Sequence, residues 1–459
     1  MDIIWIILIF YLIFIFALAW YFSRKESLET YFLNKRRTSL WLLTFSTAAT
    51  VIGAGAVVAL VSEVYNSGIS YGIVLPVSGI VGMLVLGFMA SKIKSLGDKY
   101  NSHTIVDFFY NRFDMKNKIL TGILQLFLLI IWISVQAIAI ATLASVLIGV
   151  EYHIALFFAA AITIFYTSVG GLKIDIITDF VQFWIMIFVF FIMSIIAYNH
   201  VGGFGALLSN LPAEHLNPFG FGGISWFIGG ILLSGFIYLG NTTHWQRIFS
   251  AKNQETAKKS FFLSIPFITI IALFALFLGL VASVTLSDIN QDMAIFSLMN
   301  LILPKWIIGL GFAAILAVVM SSIDSLLIGG STIIHKALFK RDGKKQLIYA
   351  RLITALFGIF GFLIAFMIPN IVGLSLLVAY IALIFVPAIF GGILSKKVSA
   401  NASFYSILIP FLILILSLPF LGSNSFIVPT LTSILIIVFY DKIFKKKTPT
   451  PLEIIGFEE

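Results

Sequence analysis

From Ile3 to Phe22 the chain runs about 20 residues without a charge, then turns basic at Arg24 and Lys25. Twenty apolar residues at 1.5 Å per residue cross the roughly 30 Å of bilayer hydrocarbon. The same alternation of long apolar run and short polar loop continues to the C-terminus. Further runs fall near residues 44–62, 72–93, 119–148, 154–170, 174–197, 223–245, 260–284, 304–335, 346–368, 371–394, 402–420 and 425–441. The pattern predicts an all-α integral membrane protein of about thirteen spanning helices.

Basic residues orient these helices. With the N-terminus outside, the cytoplasmic loops are 23–43, 94–118, 171–173, 247–259, 336–351, 395–401 and 442–459. Counted with the adjoining helix ends, they hold every Lys and Arg except Lys305. A positive-inside bias of this kind sets topology and places the C-terminus in the cytoplasm of a multi-pass plasma-membrane protein. The bias also accounts for the net charge of +9, so a nucleic-acid partner is not expected. Lys445–Lys447 are expected to anchor the last helix at the membrane surface. Asp2 precedes the first run and no small-residue cleavage site follows it, so that run is expected to be a retained helix and not a signal peptide.

Composition agrees: 60% of the 459 residues are hydrophobic and 11% charged, against about 25% charged in soluble domains, and the mean hydropathy is +1.08. With no cysteine, disulfides, thiolate nucleophiles and cysteine-ligated metals are excluded. No hydrophilic stretch is long enough for a soluble catalytic domain. There is no HExxH spacing and no nucleophile–base pair, so an enzyme is not expected. No obligate protein partner is evident; the lipid bilayer is the expected surrounding.

A carboxylate at mid-membrane costs roughly 2.5–3.5 kcal/mol on insertion scales. Asp179 and Asp324 lie clearly within spans, whereas Glu63 and Asp175 fall near predicted helix ends where water is in reach. Ser321, Asp324 and Ser325 stand at i, i+3 and i+4, one face of a helix, with Ser322 on the adjoining stripe. Carboxylate and hydroxyl oxygens suit hard cations, so sodium or a proton is the expected occupant. Two segments carry glycine and small polar residues where a helix should run on: "FSTAATVIGAGAVVA" (45–59) and "YLGNTTHWQRIF" (238–249). Irregular backbone at membrane depth is tolerated where it lines a cavity, and paired irregular segments in two halves point to a transporter's binding site. Here they open two five-helix blocks, 44–197 and 223–394. His244 and Trp245 are expected at the membrane interface.

Three stretches, "GGLKIDIITDFVQF" (170–183), "WQRIFSAKNQETAKKS" (245–260) and "AVVMSSIDSLLIGGSTII" (317–334), resemble the signatures of the sodium:solute symporter family, in order and spacing, over residues 30–395. The resemblance implies a LeuT-type 5+5 inverted repeat in a single transporter domain, 1–459. One extra helix (3–22) precedes the repeats and two (402–441) follow. It implies a principal sodium site from the backbone carbonyls of Ala49, Ile52 and Val318 and the hydroxyls of Ser321 and Ser322. Some members hold a second sodium at the positions of Asp179, Asp324 and Ser325. Positions matching the family's solute contacts are Val51, Ala56, Asn241, Thr243 and, in "ISVQAIAIA", Gln136. Val51 stands where proline carriers have aspartate and sugar carriers asparagine. Ala56 stands where sugar carriers have glutamine, and Thr243 matches their stacking tyrosine. A hexose would leave hydroxyls unpaired in such a pocket, so an amino acid or monocarboxylate is favoured. The implied function is sodium-coupled import of a small organic solute by alternating access, with Na+ as coupling ion. A proton-coupled carrier of the same fold and a solute-binding membrane sensor are the alternatives.

Overall fold

The computed structural model describes residues 3–22, 27–339, 345–395 and 397–444. Asp2, Arg24, Lys25 and Lys445–Lys447 lie outside the described residues. One isolated bridge joins Thr38 and Ala251; otherwise the described regular structure is helical. The main helices are α1 (Ile3–Phe22), α2 (Leu40–Val51), α3 (Ala54–Ser67), α4 (Ile69–Lys99), α5 (Met115–Ile148), α6 (Tyr152–His200) and α7 (Gly223–Leu233). They continue with α8 (Thr242–Ser250), α9 (Gln254–Thr285), α10 (Lys305–Leu338), α11 (Gln346–Met367), α12 (Ile371–Leu394), α13 (Ala400–Leu421) and α14 (Ile427–Phe444).

Among the described residues, eleven helices are long and apolar enough to cross a membrane. The count is twelve when α2 and α3, bent by 41°, form one span. The expected thirteen differs from this at α6. The sequence predicts two spans there, 154–170 and 174–197, and the 49 residues are two helical stretches joined at a kink, where Gly171 alone has non-helical angles (φ 59°, ψ −177°). Forty-nine residues rise about 74 Å, more than twice the hydrocarbon thickness. The expected loop 171–173 falls at this kink, with no more than the one non-helical residue between the two stretches.

Of the spans, α10 is the most enclosed; it packs against α5, α6, α11 and α1. Phe10, Trp20, Phe88, Phe360 and Phe420 project outward from the periphery. In lipid such faces need no cover, and helix association rests on packing and internal polar bonds.

Two helices break in mid-course, and one partner helix mends both. Between α2 and α3, Ile52 leaves helical geometry (ψ 63°) and Gly53 is extended. A Cβ at Gly53 would come within 2.5 Å of Ser322 Oγ and 3.0 Å of Gln136 Nε2, so a larger residue would push both side chains aside. The break strips backbone groups of helical partners, which is costly at membrane depth. Gln136 of α5 supplies one: its Oε1 accepts the Ala54 N–H at 2.8 Å. The second break follows the 3₁₀ segment Ser234–Gly240. Gly240 backs onto the Ala382 carbonyl, where a Cβ would come within 2.0 Å. Asn241 caps α8, its Oδ1 accepting the Thr243 N–H at 3.0 Å. Gln125, also of α5, spans the gap, donating to the Gly240 carbonyl (2.6 Å) and accepting the Thr242 N–H (3.2 Å).

Candidate cation site and central cavity

Where α10 crosses the α2–α3 break, hydroxyl and carbonyl oxygens gather. Ser321 Oγ lies 3.2 Å from the Ala49 carbonyl and 3.0 Å from that of Val318. Ser322 Oγ lies 3.3 Å from the Thr50 carbonyl and 3.4 Å from Val318. All these residues are buried. A serine hydroxyl rotates freely about its C–O bond and has lone pairs to spare. Turning each hydrogen away from the carbonyls presents a shell of neutral oxygens to a small hard cation. Of the five residues expected at the principal site, Ala49, Val318, Ser321 and Ser322 meet through these bonds, and Ile52 stands at the break itself. Thr50 joins them through its carbonyl, which the sequence does not single out.

Asp179 and Ser325 meet through Thr50 Oγ1 and Arg247, while Asp324 bonds separately; Asp179 Oδ1 and Asp324 Oδ2 are left without a hydrogen-bond partner. Arg247 of α8 intervenes, fully buried. Its Nη2 donates to Asp179 Oδ2 at 2.9 Å, to Asp175 Oδ2 at 3.3 Å and to Ser325 Oγ at 2.7 Å. Its Nε donates to Ser46 Oγ at 3.2 Å, and the Ser46 hydroxyl reaches Asp179 Oδ2 at 2.6 Å. Asp324 faces elsewhere: its Oδ1 accepts from Thr167 Oγ1 at 2.5 Å. Two expectations are corrected here. Asp175 has no access to water, its side chain being 0% exposed, and it pairs with Arg247. Arg247 does not begin a cytoplasmic loop; it lies inside α8. The signal was present in the sequence. Asp175 and Asp179 sit at i and i+4 on one helix face, a doubled negative charge that burial makes untenable without a cation.

Beside the oxygen cluster lies a cavity of about 110 Å³. Val51, Ala56, Asn241 and Thr243 line it, four of the five residues expected to contact solute. Gln136 is not among the lining residues; it caps the α2–α3 break. Tyr71, Trp132, Trp226, Tyr238, Tyr380 and Phe426 form aromatic walls, and no Asp, Glu, Lys or Arg lines the space. Thr50 and Ser322 border it as well, so the cavity and the oxygen cluster share residues. His244 also lines it. Neither His244 nor Trp245 is at an interface: they are 3% and 1% exposed. Trp245 Nε1 donates to the Leu239 carbonyl at 2.8 Å, while His244 Nδ1 has no hydrogen-bond partner.

Interrupted spanning helices meeting at a central cavity, next to a shell of oxygens fit for a cation, define a secondary transporter. The profile of the sodium:solute symporter family matches residues 31–409, and the chain belongs to that family. It is 28% identical over 350 residues to the sodium/pantothenate symporter of Haemophilus influenzae, covering 72% of this chain and 71% of that protein. It is also 28% identical over 348 residues to a sodium/proline symporter of Staphylococcus aureus, covering 73% and 67%. Among solved structures, a Na+-coupled sialic acid symporter, substrate-bound and outward-open, superposes with a TM-score of 0.84 at 18% identity, over 98% of this chain and 99% of that one. A nucleobase-cation-symport-1 family transporter superposes with a TM-score of 0.59 at 13% identity, over 90% and 94%. These likenesses show the fold, which is LeuT-type. The protein is a sodium-coupled symporter and not an enzyme; sodium is its coupling ion.

Proposed function

We propose that sodium binds among the carbonyls of Ala49, Ile52 and Val318 and the hydroxyls of Ser321 and Ser322, and that a small organic solute binds in the adjoining cavity. One observation carries this reading: Thr50 and Ser322 belong to both. An ion that draws α2 toward α10 sets the shape of the solute-facing wall, so each ligand favours the conformation that binds the other. Inward sodium movement adds about 2.3 kcal/mol per 100 mV of membrane potential to its concentration gradient. The blocks 44–197 and 223–394 then act as the two inverted repeats, flanked by 3–22 and 402–441. The loaded bundle rocks against its scaffold. The protein sits in the cell membrane with its N-terminus outside and its C-terminus in the cytoplasm, as the distribution of Lys and Arg implies.

The solute we favour is an amino acid or monocarboxylate. Pantothenate and proline, for which two relatives are named, both carry a carboxylate. The cavity offers no charged side chain to one, which leaves the bound sodium and backbone N–H groups. Gln136 takes the Ala54 N–H; the next first-turn N–H of α3 belongs to Gly55, a lining residue. A carboxylate there meets the positive end of the half-helix. Ser322→Ala removes one neutral oxygen from the ion shell and little packing. The sodium concentration for half-maximal uptake should rise at least about tenfold, about 1.4 kcal/mol, at normal expression. Unchanged sodium dependence would remove Ser322 from the ion site.

A further inference from the structure

The second five-helix block proposed above ends at residue 394, yet the cavity draws on the chain beyond it. Phe426, a lining residue, comes from the turn between α13 and α14. The inner end of the cavity is the α2–α3 break, where Thr50 and Val51 line it. Its outer end lies at helix termini expected to face outside. There Tyr71 stands in the first turn of α4, Trp226 in the first turn of α7, and Phe426 directly before α14.

The turn that carries Phe426 is fastened on several sides. The Tyr380 hydroxyl of α12 donates to the Ser423 carbonyl at 2.6 Å. Asn424 donates to the Gly222 carbonyl at 3.1 Å and accepts from Ser225 Oγ at 3.0 Å, which ties the turn to the start of α7. The Phe426 carbonyl accepts the N–H (3.1 Å) and the hydroxyl (2.7 Å) of Thr430 in α14. From this held backbone the ring reaches inward, 3% exposed, its centroid 5.5 Å from that of Tyr380. It lies against the α7 backbone at Gly229, where a Cβ would come within 2.8 Å of the ring's Cζ.

We propose that Phe426 is a specificity-determining residue: its ring closes the outer end of the solute cavity and sets the length of solute accommodated. The proposal rests on the reading that a small organic solute occupies this cavity, and adds to it a residue from outside the two blocks. Tyr380 is committed to holding the turn, and Tyr71 and Trp226 stack on each other with centroids 5.5 Å apart. Phe426 carries no polar side-chain atom and faces glycine on α7. A change in its size therefore alters the length of the cavity with the least disturbance to the other walls. Apolar walls discriminate by volume, and one methylene more or less is worth about 10–200-fold in preference. None of the bonds that fasten the turn involves α2 or α10, which hold the oxygens of the proposed sodium site. Selection by length is thus separable from sodium binding.

The test compares two carboxylate probes of different length, proline and the longer pantothenate, by thermal shift of the full-length protein in sodium and by uptake into reconstituted vesicles. Phe426→Ala opens the outer end and should raise the affinity for pantothenate relative to proline at least about tenfold. Phe426→Trp adds bulk and should move the ratio the other way. Phe426→Leu keeps an apolar side chain on the turn and should shift the ratio in the same direction as alanine, so the test survives if Phe426→Ala does not fold. A sodium-dependent melt without solute reports which variants are folded. A residue that only packs would weaken both probes alike. An unchanged ratio in a folded Phe426→Ala or Phe426→Leu protein therefore overturns the proposal and leaves the solute reading standing. Probes that stabilise neither the wild type nor any variant overturn the solute reading, and the proposal with it.

Discussion

His244 is a side chain of the cavity wall with an unmet hydrogen bond. It is buried in the cavity wall with Nδ1 unpaired, and a buried polar atom left without a partner costs about 1–3 kcal/mol. A neutral imidazole presents one donor and one acceptor, so a solute carbonyl, hydroxyl or carboxylate could complete it. His244→Ala should weaken solute-dependent thermal stabilisation at least about tenfold while leaving sodium binding in the absence of solute unchanged. Equal solute affinity in the variant would make His244 a packing residue. Its role escapes the sequence because histidine beside tryptophan also suits a membrane interface. Its place three residues past Asn241, in the first turn of a half-helix, was the available clue. Ser321 and Ser322, by contrast, stand out from the chain alone, as hydroxyls clustered within an apolar run.

At the scale of elements, the two breaks in the spanning helices are held by two glutamines of α5. Gln125 and Gln136 are 0% exposed and eleven residues apart, three turns of one helix, so they lie on the same face. Each supplies the hydrogen bond that an interrupted backbone lacks. This separates two roles for Gln136. As a mender of the break, Gln136→Leu should lower stability by about 1–3 kcal/mol, the cost of an orphaned Ala54 N–H, seen as an earlier thermal melt with or without solute. As a solute ligand, it would leave the melt of the empty protein unchanged and raise only the solute concentration for half-maximal uptake. The first outcome is expected. The interruptions themselves are legible as glycine and small polar residues at membrane depth, but a glutamine's partner sits on another helix and no local pattern names it.

Across the whole molecule, the alternation of apolar runs and basic loops predicts which ends face which side. Asn199, at the end of α6, and Ser287, past the end of α9, are exposed and expected outside; Asn253, at the start of α9, is exposed and expected in the cytoplasm. Single cysteines can be placed at each in a protein that has none of its own. An impermeant thiol reagent applied to intact cells should label the first two and spare the third. Labelling at Asn253 together with Asn199 would overturn the orientation and the thirteen-span count. That count hinges on α6, whose 49 residues must turn near Gly171 to serve as two spans.

The all-helical membrane architecture, the two irregular segments and the oxygen-rich face of α10 follow from the chain's own order. Each depends on local facts: hydrophobic length, glycine at depth, hydroxyls at i and i+4. Family membership was likewise carried by three short motifs. Only the tertiary structure decided which oxygens remain free. Arg247 stands 72 residues from Asp175 and 78 from Ser325, and whether it snorkels to water or turns inward depends on helices that touch only in the folded protein. Turning inward, it pairs with Asp175 and Asp179 and donates to Ser325. Composition and periodicity register that a membrane chain holds polar groups; which donor meets which acceptor is a property of packing.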